Sequence, residues 1–281
     1  MAHSKAVGGM LPGDHAYVAY DTDAERDAIM AAYVRDGLRA GHAVIRLVDS
    51  APGGPAAARP PAGTGGDDDG DVIVLPADIG LTGTGLADAI GAATRGGRTG
   101  VRLTAEASPS PRGWPGTEAF AAFEAALHRA ATAPGSRVMA LCLFDRRWFG
   151  AAHLRMLDGR HGVRVRADDL FDDGVLTITP LFAPPGLRLS GAIDESTLPA
   201  LVAALRDYDL RAGPGDAHLC LDLARLDFCD LDGLRTLIEA NRTSAVLDRQ
   251  VILRAIPGCV ELMLRASGWE TAPGVVREAA L

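Results

Sequence analysis

The stretch "LDFCDLDGLRTL", residues 226–237, places three aspartates between an apolar run and a helical pattern. Just before it, "HLCLDLA" (218–224) reads as a strand. After it, Leu234, Leu237, Ile238 and Ala245 recur at helical spacing. Asp230 therefore stands where a helix N-cap stands, and Asp232 falls in the first turn. A cap oxygen accepts from an orphan backbone N–H, and a carboxylate in the first turn meets the positive end of the helix dipole. Such local roles are worth about 0.3–2 kcal/mol each. The spacing thus points to strand end, cap and first turn before it points to catalysis or a metal.

Working outward, residues 174–281 read as one α/β unit. "VLTITPL" and "GLRLSGAI" are short strands. Ser196 or Thr197 is placed to cap a helix with Pro199 in its first turn and Leu198, Leu201, Val202 and Leu205 on its apolar face. "QVILRAI" (250–256) is a further strand and "GCVELMLRASG" a third helix.

The acidic stretch "ADDLFDDG" (167–174) is the expected boundary, and residues 1–173 form the other unit. Thr22 and Glu25 make a capping box. Ile29, Met30, Tyr33, Val34 and Leu38 follow helical spacing, with Gly41 as the stop. Strands are expected near Tyr17–Tyr20 and over 43–49, 71–76, 101–107, 137–145 and 162–166. Helices are expected at Leu86–Ala93, 117–132 and 150–159. Strands alternating with helices predict a parallel sheet covered by helices. "PGGPAAARPPAGTGGDDDG" (52–70) holds no core-forming residue and is expected to be a mobile loop.

The chain has 281 residues, 48% of them hydrophobic, enough for two buried cores. Its net charge of −8 argues against non-specific nucleic-acid binding and favours a partner with a basic patch. Lys5 is the sole lysine, so a phosphate-loop lysine is missing, and "GLTGTG" (80–85) and "GTGG" (63–66) are glycine clusters without it. No G-x-S-x-G, C-x-x-C or H-x-x-x-H pattern occurs. No catalytic residue, cofactor or metal is expected, and each histidine taken alone reads as a surface or satisfied residue. The four cysteines, Cys142, Cys220, Cys229 and Cys259, read as small reduced core residues. With no signal-like N-terminus and no apolar run of membrane-spanning length, a cytoplasmic protein is expected.

Five polar residues of the first unit form a candidate ligand-sensing set. Glu124 borders an apolar helix face, where a carboxylate must find a partner. Asp145 ends the strand that carries Cys142, at the carboxyl edge where parallel sheets place ligands. Asp14 and His15 precede the first strand.

Residues 13–49, "GDHAYVAYDTDAER" through "GLRAGHAVIRLVD", together with "AFEAALHRA", "MALCLFDRRWFGAAHLRML" and His161, resemble the MEDS family. The resemblance covers about residues 10–170. It implies a sensory domain on a RecA-like fold without the phosphate loop, its ligand unspecified. "LRLSGAIDESTLPALVAAL" and "LCLDLARLDFCDLDGLRTL" resemble a STAS domain of the anti-sigma factor antagonist type. That resemblance implies binding to an anti-sigma factor, a serine kinase, or another regulator of such a network. The implied surface maps to Asp194, Asp230, Leu231, Asp232, Gly233 and Leu234.

Asp232 occupies the position of the family's phosphorylated serine. It reads as a purely local helix residue, as a fixed partial mimic of the phosphorylated state, or as the mark of a changed partner. A changed partner is preferred, because the first unit offers another route of regulation. The alternative function is a nucleotide-binding protein or weak ATPase, with Glu124 positioning water or metal.

Overall fold

The computed structural model describes residues 3–48, 72–76, 85–107, 117–211, 218–240 and 250–278. The expected loop 52–70, both glycine clusters apart from Gly85, and Ala245 fall outside them. The chain divides into two units, Met1–Asp168 and Asp169–Leu281.

The first unit holds seven strands in the order β1-β7-β2-β6-β5-β3-β4, every described pairing parallel. They are β1 (His3–Ala6), β2 (His15–Tyr20), β3 (Ala43–Val48), β4 (Val72–Pro76), β5 (Val101–Glu106), β6 (Val138–Asp145) and β7 (Val163–Arg166). The helices are α1 (Asp23–Arg39), α2 (Gly85–Arg95), α3 (Glu118–Thr132) and α4 (Ala151–Asp158).

β2 and β6 are buried along their whole length, as central strands of a covered parallel sheet must be. On one face Tyr17, Ile45, Leu103 and Phe144 pack against Leu86, Phe120, Leu127 and Leu157 from α2, α3 and α4. On the other, α1 seats Tyr33, whose hydroxyl lies 3.0 Å from the Leu103 carbonyl. Local signals act as expected at α1. Thr22 Oγ1 accepts from Glu25 N at 3.2 Å, and Gly41 takes φ +71° just past the end. The return half of the capping box shifts by one residue, with Glu25 accepting from Asp21 N rather than from Thr22.

The second unit is a mixed sheet in the order β13-β12-β11-β10-β9-β8. It comprises β8 (Phe171–Asp172), β9 (Leu176–Phe182), β10 (Pro185–Ile193), α5 (Leu198–Arg211), β11 (His218–Cys229), α6 (Leu231–Glu239), β12 (Gln250–Arg254), α7 (Gly258–Ala266) and β13 (Val275–Glu278). β8–β9 and β9–β10 pair antiparallel and the rest parallel. Leu187, Leu189, Leu221 and Leu223 meet Leu201, Leu234, Leu237, Val260 and Leu264 in one core.

Two expectations shift. The division falls before β8 rather than after residue 173, because Phe171 and Asp172 pair with Ile178 and Thr177. The strand expected to end at 224 continues to Cys229, because Leu226, Phe228 and Cys229 keep pairing with β10 across a register shift.

Candidate functional sites

In the first unit, four side chains from separate elements converge on one buried point. His15 opens β2, Glu124 lies on α3, Cys142 is on β6, and His161 follows α4. Each is at most 4% exposed. Glu124 Oε2 lies 3.0 Å from His161 Nε2 and 3.4 Å from His15 Nε2. Cys142 Sγ lies 3.6 Å from His15 Nε2. The ligand-capable atoms of all four fall within 4.8 Å of one another.

The strand pattern explains the convergence. His15 pairs with Ala140 and Tyr17 with Cys142, so His15 and Cys142 share the sheet face that α3 covers. Thr117 caps α3 by accepting from Phe120 N, which fixes the start of the helix that carries Glu124. His161 Nδ1 sits 3.0 Å from the Leu157 carbonyl, which fixes that ring from behind.

The electrostatics of the cluster are those of a dry site. Burial, then the neighbouring His161, lower the pKa of His15 to about 3, so its ring is neutral. Burial works to raise the Glu124 carboxyl, but His161, His15 and Cys142 outweigh it and hold the group below its ordinary range. Burial and the Glu124 charge push the Cys142 thiol well up. Despite their proximity, Glu124 Oε2, His161 Nε2 and His15 Nδ1 make no hydrogen bond.

Three of the five sequence candidates, His15, Glu124 and Cys142, are thus brought together, and two are not. Asp14 is held by Lys5 at 2.9 Å and by Leu11 N. Asp145 lies at the carboxyl edge, bound by the Arg147 guanidinium. Asp145 is three residues beyond Cys142, and the alternation of a strand turns it to the opposite face. His161, the fourth member, carries part of the MEDS resemblance but was not among the five candidates. A chain-spacing test cannot see four side chains drawn from separate elements, and these four are a group that could hold a metal ion. Cys142 is a buried, reduced core residue as expected, and its sulfur also faces this cluster. Of the other cysteines, Cys220 and Cys229 are buried and Cys259 is exposed, contrary to expectation.

Glu124 is enclosed, so it is not placed to position water on an open nucleotide. The carboxyl edge is instead filled by paired acids. Tyr20 donates to Glu106 at 2.7 Å, Arg26 lies 3.6 Å from Glu106, and Arg147 joins Asp145 to Asp23.

In the second unit, Asp230 caps α6 as expected, accepting from Gly233 N at 2.7 Å. Asp232 projects from the first turn with its side chain 72% exposed and Arg235 3.8 Å away. Leu231 and Phe228 are about half exposed beside it. Asp194 accepts from Ser196 N and Oγ and from Thr197 N, which closes the turn into α5 and lowers its carboxyl pKa.

Gly233 and Leu234 are buried. Gly233, which the resemblance maps to the partner surface, has a packing role instead. A Cβ there would stand 2.4 Å from Ile193 Cγ2, so the glycine lets α6 seat against β10. These two residues lie beneath the first turn of α6, where Leu231 and Asp232 are exposed.

The sequence profile described as "MEthanogen/methylotroph, DcmR Sensory domain" (MEDS) matches residues 14–161. The chain belongs to the MEDS family. A second profile, "Mlab, STAS domain", matches residues 178–277, so a STAS domain follows the MEDS domain. No curated protein matches the chain. Both domains are non-catalytic sensory and regulatory modules. The protein is accordingly a non-enzymatic signalling protein whose STAS domain binds partners. Among the described residues, no helix is long and apolar enough to cross a membrane.

Proposed function

We propose that the protein is an anti-sigma factor antagonist-like regulator. In this reading the MEDS domain senses a ligand or partner, and the STAS domain docks an anti-sigma factor, a serine kinase or a related regulator. The observation that carries the reading is the end of β11 and the start of α6. There Phe228 and Leu231 are uncovered, and Asp232 adds a charge that needs no kinase to create it. An aromatic and a leucine beside an acid suit a partner with an apolar pocket and an adjacent Arg or Lys.

Asp232 holds one charge and two oxygens, where phosphoserine carries about −1.5 to −2 and three acceptor oxygens. It therefore supports a changed partner more than a complete mimic. Asp194 and Asp230 hold the two turns that frame the surface. The cell interior is the compartment in which such a partner is met.

Affinity capture with the anti-sigma kinases and STAS proteins of the same genome tests the reading. Retention that is lost in Asp232→Arg, with the fold intact by circular dichroism, is expected. Capture of none of these partners overturns it. Asp232→Ser adds a second measurement, since phosphate incorporation by a retained kinase shows that the surface still presents this position to the active site.

A further inference from the structure

We propose that His15 Nε2, Glu124 Oε2, Cys142 Sγ and His161 Nε2 bind one divalent transition-metal ion of the zinc class inside the MEDS domain. The inference stands apart from the identity of the STAS partner.

The orientation of His161 comes first. A backbone carbonyl only accepts, so the 3.0 Å contact to Leu157 O places the ring proton on Nδ1. In the neutral ring Nε2 is then a bare lone pair, and it faces a carboxylate oxygen 3.0 Å away with no hydrogen bond between them. Two acceptors held this close in a buried site require a positive centre between them. A proton on His161 would answer one contact. It would leave the His15 and Cys142 contacts of the same cluster to separate protons. A cation answers all four groups together.

The distances agree with that. Zinc bonds of about 2.0–2.1 Å to nitrogen or oxygen and about 2.3 Å to sulfur, at tetrahedral angles, set N···O edges near ~3.3 Å and N···S edges near ~3.6 Å. The observed edges are 3.4 and 3.0 Å for N···O and 3.6 Å for N···S. The remaining edges reach no further than 4.8 Å, so a modest contraction completes the shell.

The donor set names the class of ion. Two imidazoles, a thiolate and a carboxylate suit zinc, cobalt or ferrous iron, whereas magnesium and calcium demand oxygen ligands. Charge closes as well. A dication with one thiolate and one carboxylate is neutral, which a site this buried tolerates. On binding, the Cys142 proton leaves to solvent and the S–metal bond takes its place. All four positions come from protein, the pattern of a closed site. The Leu157 carbonyl behind His161 is the outer hydrogen bond that metal-bound histidines use to fix their tautomer.

The test uses the untagged full chain, stripped with chelator and then titrated with cobalt(II) or zinc(II). One tightly held equivalent per chain is expected after desalting. The cobalt form is expected to show a near-ultraviolet sulfur-to-cobalt charge-transfer band and tetrahedral visible bands. Cys142→Ser should remove the charge-transfer band, whereas Cys259→Ser should leave it. His161→Gln should weaken zinc binding by at least ~100-fold. A folded wild-type chain that retains no stoichiometric metal overturns the proposal without recourse to any variant. So does a cobalt spectrum that Cys142→Ser leaves unchanged. The partner-capture experiment has a separate readout, so either result can fail alone.

Discussion

Glu124 and Asp232 are acids with opposite circumstances, and the contrast separates two ways a sequence encodes function. Glu124 is closed in among two imidazoles and a thiol, and its Oε2 lacks a hydrogen bond. Asp232 stands in solvent on the first turn of α6, loosely beside Arg235. Asp232 has a local role that its neighbours in sequence explain. Glu124 has none, and its surroundings make sense only through residues far away along the chain. A buried acid explained only by residues remote in sequence is the better pointer to a ligand, while an exposed acid on a helix end is the better pointer to a partner.

The largest expected effect would break the comparison at its buried end. Zinc at about a thousandfold over its Kd should stabilise the MEDS domain by about 4 kcal/mol, seen as a rise in Tm that chelator reverses. Glu124→Gln should remove that gain while leaving the metal-free Tm close to wild type, since an amide can donate to the bare His161 nitrogen. A metal-independent Tm in the wild type would make Glu124 an ordinary buried acid.

The next test probes whether the exposed acid really rests on a rigid seat. Gly233→Ala puts a methyl against Ile193 Cγ2, and overpacking should cost about 1–3 kcal/mol in denaturant unfolding of the STAS domain. No change in the midpoint would mean that α6 is not pinned to β10.

Asp230→Ala removes the cap bond to Gly233 N and should cost about 0.5–2 kcal/mol by the same measurement. The smallest effect belongs to Asp232→Asn, which should shift stability by no more than about 0.5 kcal/mol yet weaken partner capture. A stability loss as large as that of Asp230→Ala would move Asp232 from the partner-facing side of the comparison to the structural side.

Legibility in the sequence followed the same divide. Thr22, Gly41 and Asp230 act on atoms within a few residues of themselves, and short-range chemistry made each of them readable. β2, β3, β5 and β6 were readable because continuous apolar runs have little choice but burial. β1, β8 and β13 were not. They are short and partly polar, and only the neighbouring strand's free edge makes them strands.

Three of the four members of the buried cluster, His15, Glu124 and Cys142, were legible as candidates, Glu124 because it borders an apolar helix face. His161 entered through the family resemblance alone, because its own neighbours in the chain do not mark it as a ligand. Asp14 and Asp145 were false positives for a geometric reason. Each lies close in sequence to a cluster residue, and each meets its own basic partner away from the cluster.

The cluster also joins four parts of the chain that are distant in sequence: the start of β2, the middle of α3, the centre of β6 and the turn before β7. A bond network through that point works as a removable staple. It acts on the folded chain, because the four donors meet only there, and it stabilises as a bound ligand does. Unlike a disulfide, it opens by dissociation rather than reduction. The mechanical stiffness of the MEDS domain thereby becomes a quantity that the cell's metal supply can set.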